Sequence, residues 1–172
     1  MPDTVMKNKT AIWLVVAALV IMASVAVSYK TILQKFLPTW EGFSATPYWD
    51  FRQWSWGYGT RVPGSTNIST MNPGGTITRA QALLFAIAYI EKDYTDLKKI
   101  ITVPLSANQW AALLSFSYNL GVGNADNLAA NINSNNYAAL ETQWKAYINA
   151  GGVPQQQLID RRAAEWALWM KG

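Results

Sequence analysis

Of the ten acidic residues in the chain, two sit where a carboxyl group can do chemistry. Glu41 lies inside Trp40-Glu41-Gly42-Phe43, and Asp50 inside Tyr48-Trp49-Asp50-Phe51. Aromatic walls desolvate a carboxylic acid, which favours its neutral form and raises its pKa toward the range useful for proton donation. Two such carboxylates are what glycoside hydrolysis requires: one protonates the leaving oxygen, and the other activates water or stabilises the oxocarbenium-like transition state. The remaining acids of the body have ordinary explanations. Glu91, Asp93 and Asp96 surround Lys92, Lys98 and Lys99 on a charged helix end, Glu165 follows Arg161 by four as a helix pair, and Asp126, Glu141 and Asp160 have no unusual setting.

Histidine and cysteine are both absent. Their absence removes Ser/His/Asp and Cys/His nucleophile systems, zinc held by His or Cys, dithiol redox chemistry and disulfides. An enzyme built from this chain is expected to work with carboxylates, without metal or cofactor. Charged residues are 14% of the chain and hydrophobic ones 51%, which argues against a disordered or highly charged nucleic-acid-binding tail. Beyond residue 30 there are 11 basic and 9 acidic residues, a mildly basic body with no basic stripe, so no nucleic-acid partner is expected.

The elements that must position these acids are legible in outline. Pro38 ends or restarts a helix and Gly42 stops it, placing Glu41 at an element's edge. Residues 46–60, dense in Tyr and Trp with Gly57 and Gly59, read as a small antiparallel hairpin, followed by a loop over 61–75 rich in Pro, Gly, Ser and Asn. Thr78-Arg79-Ala80-Gln81 and Ser106-Ala107-Asn108-Gln109 are both capping boxes, each opening a helix. The second of these helices ends before Gly121 and Gly123, and shorter ones are expected at about 127–133, 136–149 and 155–170, the last after the Gly151-Gly152-Val153-Pro154 break. The expected class is α+β, a hairpin region followed by a predominantly helical lobe.

Residues 10–29 carry no charge and lie between Lys9 and Lys30. At ~1.5 Å per residue a helix here spans the ~30 Å hydrocarbon layer of a membrane. Its Ala and Ser content makes insertion weak, and Ser24-Val25-Ala26 also offers a signal-peptide cleavage site. The expected organisation is a short tail over 1–9, a signal-anchor over 10–30 and a catalytic domain over 31–172. Lysines flank both ends of the span, so orientation is set on function: tail inside, body outside.

Glu41-Gly42-Phe43, Tyr48-Trp49-Asp50 and Ser55-Trp56-Gly57-Tyr58-Gly59-Thr60 together resemble the Glu…Asp…Thr signature of the phage-type lysozymes, glycoside hydrolase family 24. The likeness continues in order through Pro104 to Trp110, Phe116-Ser117-Tyr118-Asn119-Leu120-Gly121, Ile148 to Gly152 and Asp160-Arg161-Arg162-Ala163-Ala164-Glu165. Eight residues between Glu41 and Asp50 match the family's spacing. Ser55 stands where the family has Thr, one residue nearer to Asp50 than usual, and Thr60 stands where many relatives have His. The weakly apolar N-terminal span is similar to that of signal-arrest-release endolysins, which are exported as tethered, inactive lysozymes and later leave the bilayer.

The resemblance implies a lysozyme-like fold and a muramidase acting on the β-1,4 bond between N-acetylmuramic acid and N-acetylglucosamine in peptidoglycan. Glu41 would be the general acid, Asp50 would position or activate water, and Ser55 would hold that water. Asn119 and Arg162 are candidate substrate-binding residues; Arg161 and Arg162 either face the groove and hold Glu41 or pair along their own helix, the latter favoured for Arg161; and Trp49, Trp54 and Trp56 are candidates for sugar stacking, although so many aromatics in so short a stretch more often form a small core of their own. The implied setting is a monomer tethered to the host inner membrane through residues 10–30, with its catalytic domain in the periplasm, and then released there. A lytic transglycosylase needs one acid/base Glu and no water-positioning Asp; a non-catalytic tethered protein that binds wall or forms a lysis pore needs neither.

Overall fold

The computed structural model describes residues 29–50, 53–66 and 71–172. The chain enters through a helix over residues 29–36, here α1, which tightens into a 3-10 turn at Leu37–Thr39. Tyr29, Leu33 and Leu37 project from this segment into the main core, and Lys30 forms an ion pair with Glu91. Of the expected membrane span, only Tyr29 and Lys30 fall within the described residues, and both belong to α1. Among the described residues no helix is long and apolar enough to cross a membrane.

The expected hairpin is a three-stranded antiparallel sheet of β1 (Ser44–Asp50), β2 (Gln53–Gly57) and β3 (Thr60–Arg61), in the order β1-β2-β3. The central β2 pairs Tyr48 with Ser55 and Asp50 with Gln53 on one side, and Ser55 with Arg61 on the other. Gly57 ends β2 at φ +59°, where a Cβ would lie 2.6 Å from that of Ala82. A glycine is needed here twice over, for the backbone conformation and for the close approach of sheet and helix.

The long helix α2 (Arg79–Ile100) links the sheet to the helical lobe, opened by a complete capping box between Thr78 and Gln81. Its N-terminal turns pack under the sheet around Ala82, beside Tyr58 and Ile77, and its later turns carry Ile87, Ile90 and Leu97 into the main core. That core surrounds α3 (Ala107–Leu120), in which Trp110 to Ser117 are all buried. A helix that is apolar around its circumference belongs at the centre of a bundle. Around it lie α4 (Val122–Asp126), α5 (Ala129–Asn133), α6 (Tyr137–Lys145) and α7 (Gln156–Trp169).

Three local readings change. Residues just past Gly121 form α4, which the two glycines hid. The helix expected to reach 149 stops at Lys145, and the Gly-Gly break joins a two-stranded hairpin, β4 (Asn149–Ala150) with β5 (Val153–Pro154). Gly151 and Gly152 both have positive φ, +60° and +80°, as a two-residue type I′ turn demands.

Asp93 on α2 is buried against α3, where the Ser117 hydroxyl donates to it at 2.5 Å. Burial raises its carboxyl above the ordinary 3.8, against the pull of the Ser117 bond. A carboxyl with a higher pKa folded than unfolded binds more protons in the native state, so its stabilising contribution is present at low pH and lost as pH rises through its folded value. Asp93→Asn is therefore expected to be more stable than the parent near neutral pH and to lose that advantage below pH 4, as urea denaturation across pH will show.

Candidate active site

A cavity of about 660 Å³ opens between the sheet and the helical lobe. One wall is a single face of the sheet. Cross-strand partners point to the same side, so Tyr48, Asp50, Gln53 and Arg61 share this face with Ser55, and the first four line the cavity. Opposite stand Tyr89 and Lys92 from α2, and Tyr118 and Asn119 from the end of α3. Glu41 reaches the same space from the turn after α1.

Glu41 is fixed at both ends. Its backbone N–H donates to the Leu37 carbonyl at 2.9 Å, and Leu37 is wholly buried. Its Oε1 lies 2.7 Å from Nη1 of Arg161, an ion pair without hydrogen-bond alignment. Arg161 is held from behind: Nε donates to Glu165 at 3.1 Å and Nη2 to the Ser115 carbonyl at 3.2 Å. The reading of Arg161 and Glu165 as an ordinary helix pair therefore falls short, because both are buried and the arginine bridges to the acid of the cavity.

Glu165, with no exposed surface, also accepts from Ser115 Oγ at 2.8 Å, Trp144 Nε1 at 3.2 Å and Arg162 Nη2 at 3.1 Å, and pairs with Arg162 Nε at 2.9 Å. Burial pushes its carboxyl upward, while the two guanidiniums and the Ser115 and Trp144 bonds pull it down. Arginine and tryptophan can only donate, so this shell is built for the carboxylate. Arg162 is likewise fully buried, with its guanidinium 4.8 Å from the centre of the Phe116 ring and Nη2 donating to Asn119 Oδ1 at 2.9 Å. Burial lowers the Arg162 pKa, and Glu165 opposes the shift. Arg162 thus does not line the cavity as a substrate-binding residue would; it orients Asn119, which does.

Ser55 also departs from its expected place. It is completely buried beneath the sheet face, outside the cavity wall, and its hydroxyl accepts from Gln53 Nε2 at 3.1 Å. Tyr48 and Arg61 flank it on the neighbouring strands and Gln53 stands two residues before it on its own, so a short side chain has three longer ones for neighbours. Of the two readings of the tryptophans, packing with other aromatics is the one found: Trp49 packs edge-on to Trp54 and Trp56 against Phe85, and none of the three lines the cavity. Four tyrosines, Tyr48, Tyr58, Tyr89 and Tyr118, take their place. Burial raises the Tyr48 and Tyr118 phenols, and the charge of Glu41 acts in the same direction on both, with Asp50 also acting on Tyr48, so they stay protonated as donors. Among the described residues no cluster of acids is arranged to hold a metal ion.

A small sheet and a helical lobe joined by a long helix, with a carboxylate at the cleft between them, define a lysozyme-like glycoside hydrolase of the muramidase class. The chain belongs to the phage lysozyme family, whose model matches residues 38–165. It is 31% identical over 123 residues to an endolysin of Acyrthosiphon pisum secondary endosymbiont phage 1, covering 68% of this chain and 80% of that one. It is 27% identical over 94 residues to the SAR-endolysin of Escherichia phage Mu, covering 54% and 55%. The endolysin of Bacillus phage PZA is 30% identical over 106 residues, which is 60% of this chain but only 41% of that protein. Among solved structures, a mutant of P22 lysozyme superposes with a TM-score of 0.68 at 26% identity, over 80% of this chain and 94% of that one.

Glu165→Gln removes the carboxylate that both arginines share, leaves Arg162 without its ion-pair partner and places an amide N–H₂ against donors. It is expected to cost about 3 to 5 kcal/mol of stability, the usual penalty for breaking a buried ion pair from one side, measurable by chemical denaturation.

Proposed function

We propose that this chain is an endolysin that hydrolyses the β-1,4 bond between N-acetylmuramic acid and N-acetylglucosamine in peptidoglycan and so lyses the host cell. The observation that carries this reading is the convergence of Glu41 and Asp50 on one cavity, with the Glu41 carboxylate held on Arg161. Glu41 gives its proton to the glycosidic oxygen as the bond to the anomeric carbon breaks. A water bonds to that carbon and passes a proton to Asp50. The Asn119 Oδ1 is occupied by Arg162, which leaves its N–H₂ to donate to a sugar acetamido carbonyl. The exposed Tyr48 and Tyr89 offer rings to sugar faces and hydroxyls to sugar oxygens, while the Tyr118 hydroxyl is committed to the Tyr58 carbonyl.

Glu41→Gln is expected to lose about 10²- to 10⁴-fold in rate on purified peptidoglycan, with Asp50→Asn severely impaired as well. Products should carry new reducing ends. Parent-like rates in Glu41→Gln would remove the acid from this position, and anhydro sugars would make the enzyme a lytic transglycosylase.

Residues 10–30 are proposed to tether the chain to the inner membrane with the N-terminus inside and the catalytic domain in the periplasm, and later to leave the bilayer intact. The uncharged stretch between Lys9 and Lys30 supports this, as does the likeness to a protein named as a SAR-endolysin. Collapse of the membrane potential should move full-length chain from the membrane to the soluble fraction; a soluble species beginning near Val27 would instead mark a cleaved signal peptide.

A further inference from the structure

We propose that Gln53, not the serine at the family's threonine position, holds the attacking water beside Asp50, and that Ser55 acts only by orienting the Gln53 amide. This rests on the hydrolytic reading above. The geometry runs from the sheet register. Asp50 and Gln53 are the last cross-strand pair of β1 and β2, so their side chains stand next to each other on the cavity face. β3 pairs with β2 at Ser55 and Trp56 and stops short of Gln53. The sheet is therefore two strands wide at the Asp50–Gln53 end, which leaves Gln53 half-buried in the cavity wall, and three strands wide at Ser55, which is sealed.

The hydrogen bonding assigns the atoms. Gln53 Nε2 donates to Ser55 Oγ at 3.1 Å, which ties one N–H to the serine and leaves Oε1 as the amide's acceptor for a water in the cavity that Gln53 lines. A water between Asp50 and Gln53 can then donate one proton to the Asp50 carboxylate and the other to Gln53 Oε1. Both its protons are thereby directed away from the anomeric carbon, and a lone pair points toward it. When that water attacks, the oxygen bonds to the anomeric carbon, the bond to the leaving sugar oxygen breaks, Asp50 takes one proton and Glu41 supplies the leaving oxygen with its own. Gln53 exchanges no proton; it fixes where the water sits. With one residue fewer between Asp50 and the serine than the family's usual spacing, the short side chain of Ser55 is drawn under the sheet face, and the longer amide restores the reach.

The test is a double-mutant cycle in the full chain, with kcat and KM measured on purified peptidoglycan and folding checked by thermal midpoint. Gln53→Leu is expected to lower kcat about 10²-fold with little change in KM, the scale of a misplaced reactant. Gln53→Ala serves if leucine disturbs the fold. Ser55→Ala should lower kcat modestly in the parent and by nothing further in the Gln53→Leu background, because a residue acting through another shows full coupling. Parent-like kcat in Gln53→Leu and Gln53→Ala overturns the proposal. So does an equal cost of Ser55→Ala in both backgrounds, which would return the water to the serine. A Glu41→Gln control separates the two levels: if it is inactive while the Gln53 variants are active, only the water assignment fails, and if it is active, the hydrolytic reading fails with it.

Discussion

The rest of the site hangs on one buried carboxylate. Glu165 gathers two guanidiniums, a hydroxyl and an indole N–H around a group with no solvent contact. Desolvating two arginines and a glutamate costs several kcal/mol per ion, and such a cluster persists only where its charges are balanced and its donors placed. Arg161 Nη1 also lies 2.7 Å from Glu41 Oε1, so the cluster reaches out of the core as far as the cavity. Arg161 carries the constraint to the acid of the cavity and Arg162 carries it to Asn119. The same interaction thus sets the position of the Glu41 carboxyl group and the orientation of the Asn119 amide.

The cluster can do this because it is anchored on three helices of the bundle. Ser115 belongs to the buried run of α3, Trp144 to α6, and the arginines to α7, so the three helices are tied together at the point where the cavity begins. The aromatic contacts of Trp144 with Phe116, Trp166 and Trp169 surround this node and exclude water from it. On the other side α2 holds the sheet through the close approach of Gly57 to Ala82, so the wall carrying Asp50 and Gln53 is registered against the wall carrying Glu41.

Much of this was readable from local sequence. Glu41 and Asp50 stood out because aromatic neighbours and spacing are properties of a few consecutive residues, and both capping boxes formed as written because a cap is completed within four residues. The two-residue turn at Gly151-Gly152 carried its signal too, although it reads first as a helix break. Glu165 left a weaker trace: an acid three and four residues after two arginines, followed at once by Trp166 and Trp169, is a pattern for a helix face turned inward, and the i,i+4 pairing alone does not distinguish it from a solvated one.

What remained undecided required the tertiary structure. Successive side chains on a helix differ by about 100° in direction, so whether Arg161 or Arg162 meets the acid depends on how α7 is rotated against α3, which no local spacing specifies. Ser55 and Gln53 differ only in position along one strand, and their exposure depends on where the short β3 stops pairing and on the length of the side chains beside them. The presence of tyrosines and not tryptophans in the cavity wall has the same origin, since the rings that line it are chosen by which side of the sheet meets α2 and α3. Residue types and local spacing establish which groups are chemically able to act; the packing of distant elements brings some of them to a common cavity, because burial and charge pairing across the fold depend on contacts that adjacent residues do not contain.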